Sequence, residues 1–337
     1  MTVPLRIVVV GAGLMGVNHA RVVADSPDTT LVAVVDPQPA GESTAYRHRA
    51  AWHRSLDELD PASVDAAIVA IPTSSHAEIA TILIGFGLPV LVEKPIAATL
   101  QEAQGLVDLA AERGVPLTVG HVERFNPAVN ALQEKLSANE VGRVFQVHTR
   151  RLSPFPVRVG DAGVAFDLAT HDLDIMCMLA GAPIRISAEI DRQAHSKYED
   201  LLAATLRFDS GVIGLLEVNW LTPTKVRQLT VTGERGMFVI DYLNQHLTLY
   251  ENAHESESWR ALDIFDGVTE GNVVRFAIPR VEPLRAQLDA FVKLVAGEPS
   301  RSVSPADGLR ALSLALAVVE AGTRGETLHL TPAGEPG

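Results

Sequence analysis

Leu5-Arg6-Ile7-Val8-Val9-Val10-Gly11-Ala12-Gly13-Leu14-Met15-Gly16 is the stretch on which the fold of this 337-residue chain turns. Residues 5–10 are an apolar run rich in valine, the pattern of a strand buried on both faces in a parallel sheet. The glycines follow at once, and a helical pattern runs on to about Ala24. A second apolar strand over 31–35 ends at Asp36 and completes a βαβ unit. Each residue type has a physical role in that unit. Gly11 permits the tight turn. Gly13 has no side chain, so a pyrophosphate can approach the backbone, with Leu14 and Met15 beside it. Gly16 lets the helix sit close to the strand, and the helix N-terminus offers free N–H groups to phosphate oxygens. Asp36 stands 20 residues after Gly16, where a carboxylate accepts hydrogen bonds from an adenosine ribose. The same carboxylate repels a 2′-phosphate, Pro37 has no N–H to donate, and no Arg or Lys follows until Arg47, so NAD is expected rather than NADP. The competing reading, a glycine-rich turn in some other α/β protein, does not account for a strand before the motif, a helix after it and an acid in place.

Outward from this unit the alternation of strands and helices continues. Residues 64–71 read as a buried strand ending in Pro72-Thr73-Ser74-Ser75-His76, followed by a helix to Gly85. Residues 89–92 read as a strand ending at Glu93-Lys94-Pro95, 100–113 as a helix closed by Gly114, and 117–120 as a short strand ending at His121. Open α/β sheets bind ligands at the carboxyl edge of their strands. Gly11, Asp36, Pro72, Thr73, His76, Glu93, Lys94 and His121 all gather there, and all but His121 are expected at the cofactor.

After about residue 122 the pattern changes, and a second domain over 123–337 is expected beside a dinucleotide-binding domain over 1–122. A helix over 127–136 leads to strand-like alternation over 144–151, an irregular loop over 152–163 and a helix over 167–179. Six strands then succeed one another, at about 184–192, 201–208, 212–220, 226–232, 236–241 and 246–250, with two helices at 283–296 and 305–321. The fold class is α/β: an N-terminal Rossmann domain with a parallel sheet, then an α+β domain with a large open, mostly antiparallel sheet. An open sheet needs its bare face covered, so a homo-oligomer is expected. Residues 252–282 give no clear reading, and the Pro- and Gly-rich tail after Leu330 reads as frayed.

The formal charge is −13 (28 Lys and Arg against 41 Asp and Glu), which disfavours nucleic acid and anionic membrane as partners. The one cysteine, Cys177, lies on an apolar stretch and reads as core packing. A lone cysteine rules out an internal disulfide and fits a reducing compartment, so the cytoplasm is expected. The glycine spacing explains the apolar stretch from Leu5 better than a secretion signal does.

Asp167 and His171 are four residues apart and share one helical face. A carboxylate beside an imidazole can fix its tautomer and stabilise its charged form, which suits a group taking a proton from an alcohol as hydride leaves the carbon. A capping aspartate beside an ordinary histidine is the plainer reading of the same spacing. Two such ligands without a third are weak grounds for a metal, and none is expected. Lys94 at its strand end can polarise a carbonyl or stabilise an alkoxide. Arg150, Arg151 and Arg158 form a local basic excess suited to phosphate or carboxylate, or a solvated strand end. His121, Glu123, Arg124 and Asn126 join the domains, as cleft lining or as hinge.

The run Gly11–Gly16, then Glu93-Lys94-Pro95, then Asp167-xxx-His171-Asp172 resembles, in that order, the Gfo/Idh/MocA oxidoreductases over nearly the whole chain. The resemblance implies NAD(P)-dependent oxidation or reduction of hydroxyls of sugars, inositols and related compounds. It matches Lys94, Asp167 and His171 to the family's catalytic positions. His121-Val122-Glu123-Arg124-Phe125-Asn126-Pro127, Arg151-Leu152-Ser153-Pro154-Phe155-Pro156-Val157-Arg158 and Gly160-Asp161-Ala162-Gly163-Val164 resemble more narrowly the group that includes UDP-N-acetylglucosamine 3-dehydrogenases. Ser153 stands where that group would have glycine and Val157 where it would have proline. The narrower resemblance implies a nucleotide-sugar substrate held by His121, Glu123, Arg124, Asn126, Arg151, Arg158, Lys94 and His171. The alternatives are a dehydrogenase of a free sugar or inositol, a glycosidase using bound NAD transiently, and a non-catalytic dinucleotide-binding regulator. Lys94 and His171 are both present, which favours an enzyme over the last.

Overall fold

The computed structural model describes residues 3–156, 162–194, 197–253 and 270–330. They form two compact units, Met1–Phe125 with Glu282–Ser313, and Asn126–Val281 with Leu314–Gly337. The sequence reading ends the first domain at residue 122 and assigns all that follows to the second. The stretch Glu282–Ser313 instead returns to the first unit. The helix Pro283–Val295 is strongly amphipathic, and it buries Leu284, Leu288 and Phe291 in the same apolar cluster as Ile7, Val9, Val34 and Ile68. Its start is also held by Glu282, which pairs with Arg21.

In the first unit the strands are β1 (Leu5–Val10), β2 (Thr29–Val35), β3 (Ala51–His53), β4 (Ala66–Val69), β5 (Val90–Glu93) and β6 (Leu117–Gly120). The helices are α1 (Leu14–Ala24), α2 (Pro39–His48), α3 (His76–Gly85) and α4 (Leu100–Arg113). The six strands are all parallel, in the order β3-β2-β1-β4-β5-β6. Ile7–Val10, Ala66–Val69 and Val90–Val92 are almost wholly buried, which is why these strands read as apolar runs rather than alternating ones. The order reverses between β1 and β4, and at such a switch point the carboxyl edge opens into a crevice. Helix α4 is fixed at its start by a capping box, Thr99 with Glu102, and at its end by Gly114 at φ 63°.

The second unit holds α5 (Pro127–Ser137), β7 (Val144–Leu152), α6 (Thr170–Ala180) and the strands β8 (Pro183–Asp191), β9 (Leu201–Phe208), β10 (Ile213–Asn219), β11 (Val226–Gly233), β12 (Gly236–Asp241), β13 (His246–Asn252), β14 (Glu270–Arg275) and β15 (Leu328–His329). They form a nine-stranded sheet in the order β14-β13-β12-β11-β7-β10-β9-β8-β15, antiparallel except for the β7–β10 pair. The expected large, mostly antiparallel sheet is present. Alternation decides its faces: on β9, Leu202, Ala204, Leu206 and Phe208 are buried, while the residues between them are less so. The buried set packs with Leu173, Ile175 and Met176 of α6 and with Val129 and Leu132 of α5. Two further helices, Pro283–Val295 (α7) and Pro305–Arg324 (α8), complete the fold, and the division between the units falls inside α8. No helix among the described residues is long and apolar enough to cross a membrane.

Candidate functional site

The turn after β1 is built as its glycines demand. Gly11 has φ +97°, and an added Cβ would lie 2.3 Å from the Ala70 carbonyl oxygen at the end of β4. At Gly16 an added Cβ would lie 2.0 Å from the Gly11 oxygen, so α1 sits as low on the strand as backbone contact permits. Gly13 differs: nothing lies within 4 Å of where its Cβ would be. That open space borders the first turn of α1, which has no side-chain cap to take up its N–H groups. A dinucleotide's pyrophosphate fits this place, because no side-chain cap takes up the donors and no side chain fills it. Leu14 points outward, 58% exposed, and Met15 packs on the core.

Asp36, at the end of β2, is tied to the same turn. Its Oδ2 accepts from the Ala12 N–H at 2.7 Å and its Oδ1 from the Gln38 N–H at 2.8 Å. Each oxygen keeps a second lone pair, enough for a pair of ribose hydroxyls. Trp52 on β3 donates to the Asp36 carbonyl at 2.9 Å and braces the strand end from behind.

At the end of β4, Pro72 is exposed and Thr73 half-buried, both within reach of solvent. His76 is not. It is buried, with Nδ1 2.8 Å from the Pro95 oxygen and Nε2 2.9 Å from the Ile71 oxygen. It therefore straps the exit of β4 to the segment after Lys94 instead of facing a ligand. Burial holds its imidazole below the ordinary histidine range, although both carbonyls favour the charged form. The Lys94–Pro95 bond is cis.

Glu93 is also turned inward. Its carboxylate accepts from the His19 Nε2–H at 2.7 Å and from the Lys94 N–H at 3.2 Å. Burial pushes this carboxyl up, but the hydrogen bond and charge of His19, with the charge of Lys94, outweigh that and hold it below the usual carboxylate range. Lys94 itself is half-buried between buried neighbours. His121 is buried at the end of β6. Glu123 and Arg124 lie in the short helical turn Val122–Phe125, where Arg124 reaches Asp307 at 3.1 Å. Asn126, expected at the substrate, caps α5 instead: its side chain accepts from the Ala128 N–H at 3.1 Å and donates to the Tyr242 oxygen.

In the second unit, Asp167 lies in a single π-helical turn, Ala165–Ala169, that runs directly into α6, and His171 is in the first turn of α6. Between Gly163 and Cys177 only Phe166, Asp167 and His171 escape burial. The two polar residues thus share the one accessible stripe of an otherwise buried segment. π turns of this kind recur where a helix must present functional groups.

The arginines do not act as one cluster. Arg150 and Arg151 are adjacent on β7 and so point to opposite faces of the sheet. Arg150 pairs with Glu217 at 2.8 Å. Arg151 is 4% exposed and grips Asp172, 1% exposed, through two bonds of 2.8 and 3.1 Å, with its guanidinium also 5.4 Å from the Tyr242 ring. An arginine expected on a substrate's anionic group is therefore spent inside the unit. Arg158 lies outside the described residues.

Sequence reading missed His19, although its place one turn after Gly16 on the same face of α1 was a usable signal. It also missed that Asp172, beside His171, is a partner for Arg151.

Comparison with known proteins agrees with this architecture. Residues 5–121 match the family described as the oxidoreductase family with NAD-binding Rossmann fold, and residues 129–239 match the GFO/IDH/MocA C-terminal domain. The chain is 27% identical over 315 residues to the UDP-N-acetylglucosamine 3-dehydrogenase of Acidithiobacillus ferrooxidans, covering 93% of this chain and 96% of that protein. A solved structure of that enzyme superposes with a TM-score of 0.83 at 26% identity, covering 95% of this chain and 98% of the other. The myo-inositol dehydrogenase Hyg17 of Streptomyces leeuwenhoekii is 31% identical over 340 residues, covering 95% of this chain and 98% of its own. The structure of GenD2 from gentamicin A biosynthesis, in complex with NAD, superposes with a TM-score of 0.82 at 26% identity, covering 98% of this chain and 97% of that one.

Proposed function

The chain belongs to the Gfo/Idh/MocA family of NAD-binding oxidoreductases, and from that premise we propose that it oxidises or reduces a secondary hydroxyl of a sugar, the 3-hydroxyl of a nucleotide sugar such as UDP-N-acetylglucosamine. What carries the reading above all is the Asp167–His171 stripe, one carboxylate and one imidazole left accessible on a helix that buries nearly everything else. His171 takes the proton of the reacting hydroxyl or returns it. Asp167 orients the imidazole and stabilises its charged form. Lys94, at the carboxyl end of β5, stabilises the alkoxide or shares the proton. Gly11, Gly13, Gly16, Leu14, Met15 and Asp36 hold NAD, with Pro72 and Thr73 alongside. NAD, when bound, supplies the hydride chemistry, and the chain supplies placement and charge.

The nucleotide-sugar reading draws on the similarity to the Acidithiobacillus enzyme across both domains. A second reading, an inositol or free sugar as substrate, is favoured by the 31% identity to the myo-inositol dehydrogenase and by the burial of Arg151, which removes one cation intended for a diphosphate. We also propose that the protein is a homo-oligomer through the bare face of the large sheet. Met237, Tyr250 and Val273 pair there across β12, β13 and β14, on the face opposite the buried Phe238 and Leu249.

The test is absorbance of NADH with purified protein, NAD and a panel of UDP-N-acetylglucosamine, UDP-glucose, free hexoses and inositols. NADH from the nucleotide sugar alone supports the first reading. NADH from inositol or free sugars replaces it with the second. Full turnover in both Lys94→Ala and His171→Ala would overturn the assigned roles.

A further inference from the structure

The pair His19–Glu93 is buried charge with no part in the steps above. His19 is 1% exposed and Glu93 6%. A carboxylate removed from water is costly unless its lone pairs are filled, and an apolar residue would pack the same space without that cost. The two Glu93 oxygens are divided between two elements. Oε1 takes the His19 Nε2–H of α1 at 2.7 Å, and Oε2 takes the backbone N–H of Lys94 at 3.2 Å. The carboxylate has little room to swing, because an added Cβ on Gly120 of β6 would lie 2.9 Å from its carboxyl carbon.

The reach of His19 has its own cause. In the sheet, β4 stands between β1 and β5. A side chain on the helix that follows β1 touches the end of β5 only if that helix lies close to the sheet. Gly16, one turn before His19, provides that closeness through its backbone contact with Gly11. The glycine that seats the phosphate-binding helix is thus also what brings His19 to Glu93.

We infer that His19 is a positioning residue. From the dinucleotide-binding helix it holds Glu93, and through Glu93 it holds the backbone of Lys94, so that a cofactor seated on α1 and the placement of the lysine are mechanically coupled. The importance of that coupling to turnover rests on the role given to Lys94 above; the coupling itself does not. The groups that face Glu93 are His19 from α1, Lys94 just after β5 and, at longer range, His76 from α3.

The experiment compares wild type, His19→Leu, His19→Gln and Glu93→Gln as full-length proteins. Hydrogen–deuterium exchange is followed in the peptide spanning 92–97, with and without NAD. In wild type, NAD slows exchange at the Lys94 amide. In His19→Leu that amide exchanges at least about tenfold faster and NAD no longer slows it, as expected when a buried bond to a charged group is lost. His19→Gln, whose amide N–H can stand in for the imidazole Nε2–H, restores the wild-type pattern. If His19→Leu does not fold, Glu93→Gln carries the same expectation, because its single amide oxygen cannot accept from His19 and from Lys94 at once. Wild-type exchange with a wild-type NAD response, in either folded variant, overturns the inference.

Kinetics with NAD and UDP-N-acetylglucosamine separate the two claims. His19→Leu should lower kcat about 100-fold with the sugar KM little changed, and His19→Gln should recover most of it. If Lys94→Ala keeps full turnover, the role of the lysine fails while the exchange result still stands or falls by itself. If Lys94→Ala is inactive and His19→Leu keeps full kcat, the inference fails and the proposed function stands.

Discussion

Arg151 on β7 holds Asp172 on α6 through two buried hydrogen bonds, and Asp172 is the neighbour of His171. The pair therefore fixes the first turn of the helix that presents the histidine to a strand at the centre of the nine-stranded sheet. Removing one partner takes a buried counter-charge and two hydrogen bonds from the other. Arg151→Met or Asp172→Asn should each cost about 3–5 kcal/mol, read as a fall in the urea midpoint. The double replacement Arg151→Met with Asp172→Leu should cost less than the sum of the singles. A loss in the double variant equal to the sum of the singles would mean that the two side chains act independently.

The three glycines of the first turn should separate by experiment. Gly11→Ala and Gly16→Ala force a Cβ into a carbonyl oxygen, and at Gly11 into a left-handed backbone as well. Both should lower the melting temperature and abolish NAD binding. Gly13→Ala meets no atom, so the melting temperature should stay within a few degrees of wild type, while the Kd for NAD rises at least about tenfold because the methyl occupies the approach of the pyrophosphate. Titration calorimetry and thermal melts on the same samples check this.

Asp36 has a double duty, to the Ala12 and Gln38 N–H groups and to a ribose. Asp36→Ser should weaken NAD by about 1–3 kcal/mol and narrow or reverse the preference over NADP, since the repulsion of a 2′-phosphate goes with the carboxylate. An unchanged ratio of Kd values for the two cofactors would place the ribose elsewhere.

His76 gives a pH dependence with a definite sign. Its folded-state pKa is depressed by burial. At pH 7.5 and above, the imidazole is neutral in both folded and unfolded chains. As the pH falls through about 6.5, the unfolded chain takes up a proton that the folded chain refuses, and stability is lost from there down towards the folded pKa. Between pH 7.5 and 5.5 the urea midpoint of wild type should fall by more than that of His76→Gln. A parallel fall in both would show that His76 contributes nothing to the acid sensitivity.

Much of the first unit was readable because strands buried on both faces leave long apolar runs, and the polar residues at their ends mark the carboxyl edge. Helix α2 was not read: Pro37, Pro39 and Gly41 look like a loop, whereas Pro39 opens the helix at its first turn. Strand β14 fell inside 252–282, where no periodicity guided a reading. Lys94, Asp167 and His171 were found from local spacing and strand ends, which a sequence displays. Burial and partners are long-range. His19 and Glu93 are 74 residues apart, and Arg151 and Asp172 are 21 apart, so nothing local announced that Glu93, His76, Asn126 and Arg151 would be spent on the interior.

The return of Glu282–Ser313 to the first unit has a consequence for how the protein is made. A ribosome that has finished residue 125 has made every strand of the cofactor unit's sheet but not Leu284, Leu288 or Phe291, which complete its apolar cluster. The nucleotide-binding half therefore waits, short of one wall, while every strand of the second sheet except β15 is synthesised. A fragment cut at that point would present the same bare surface to chaperones, and the smallest self-sufficient version would join residues 3–125 to 282–313 through a new linker.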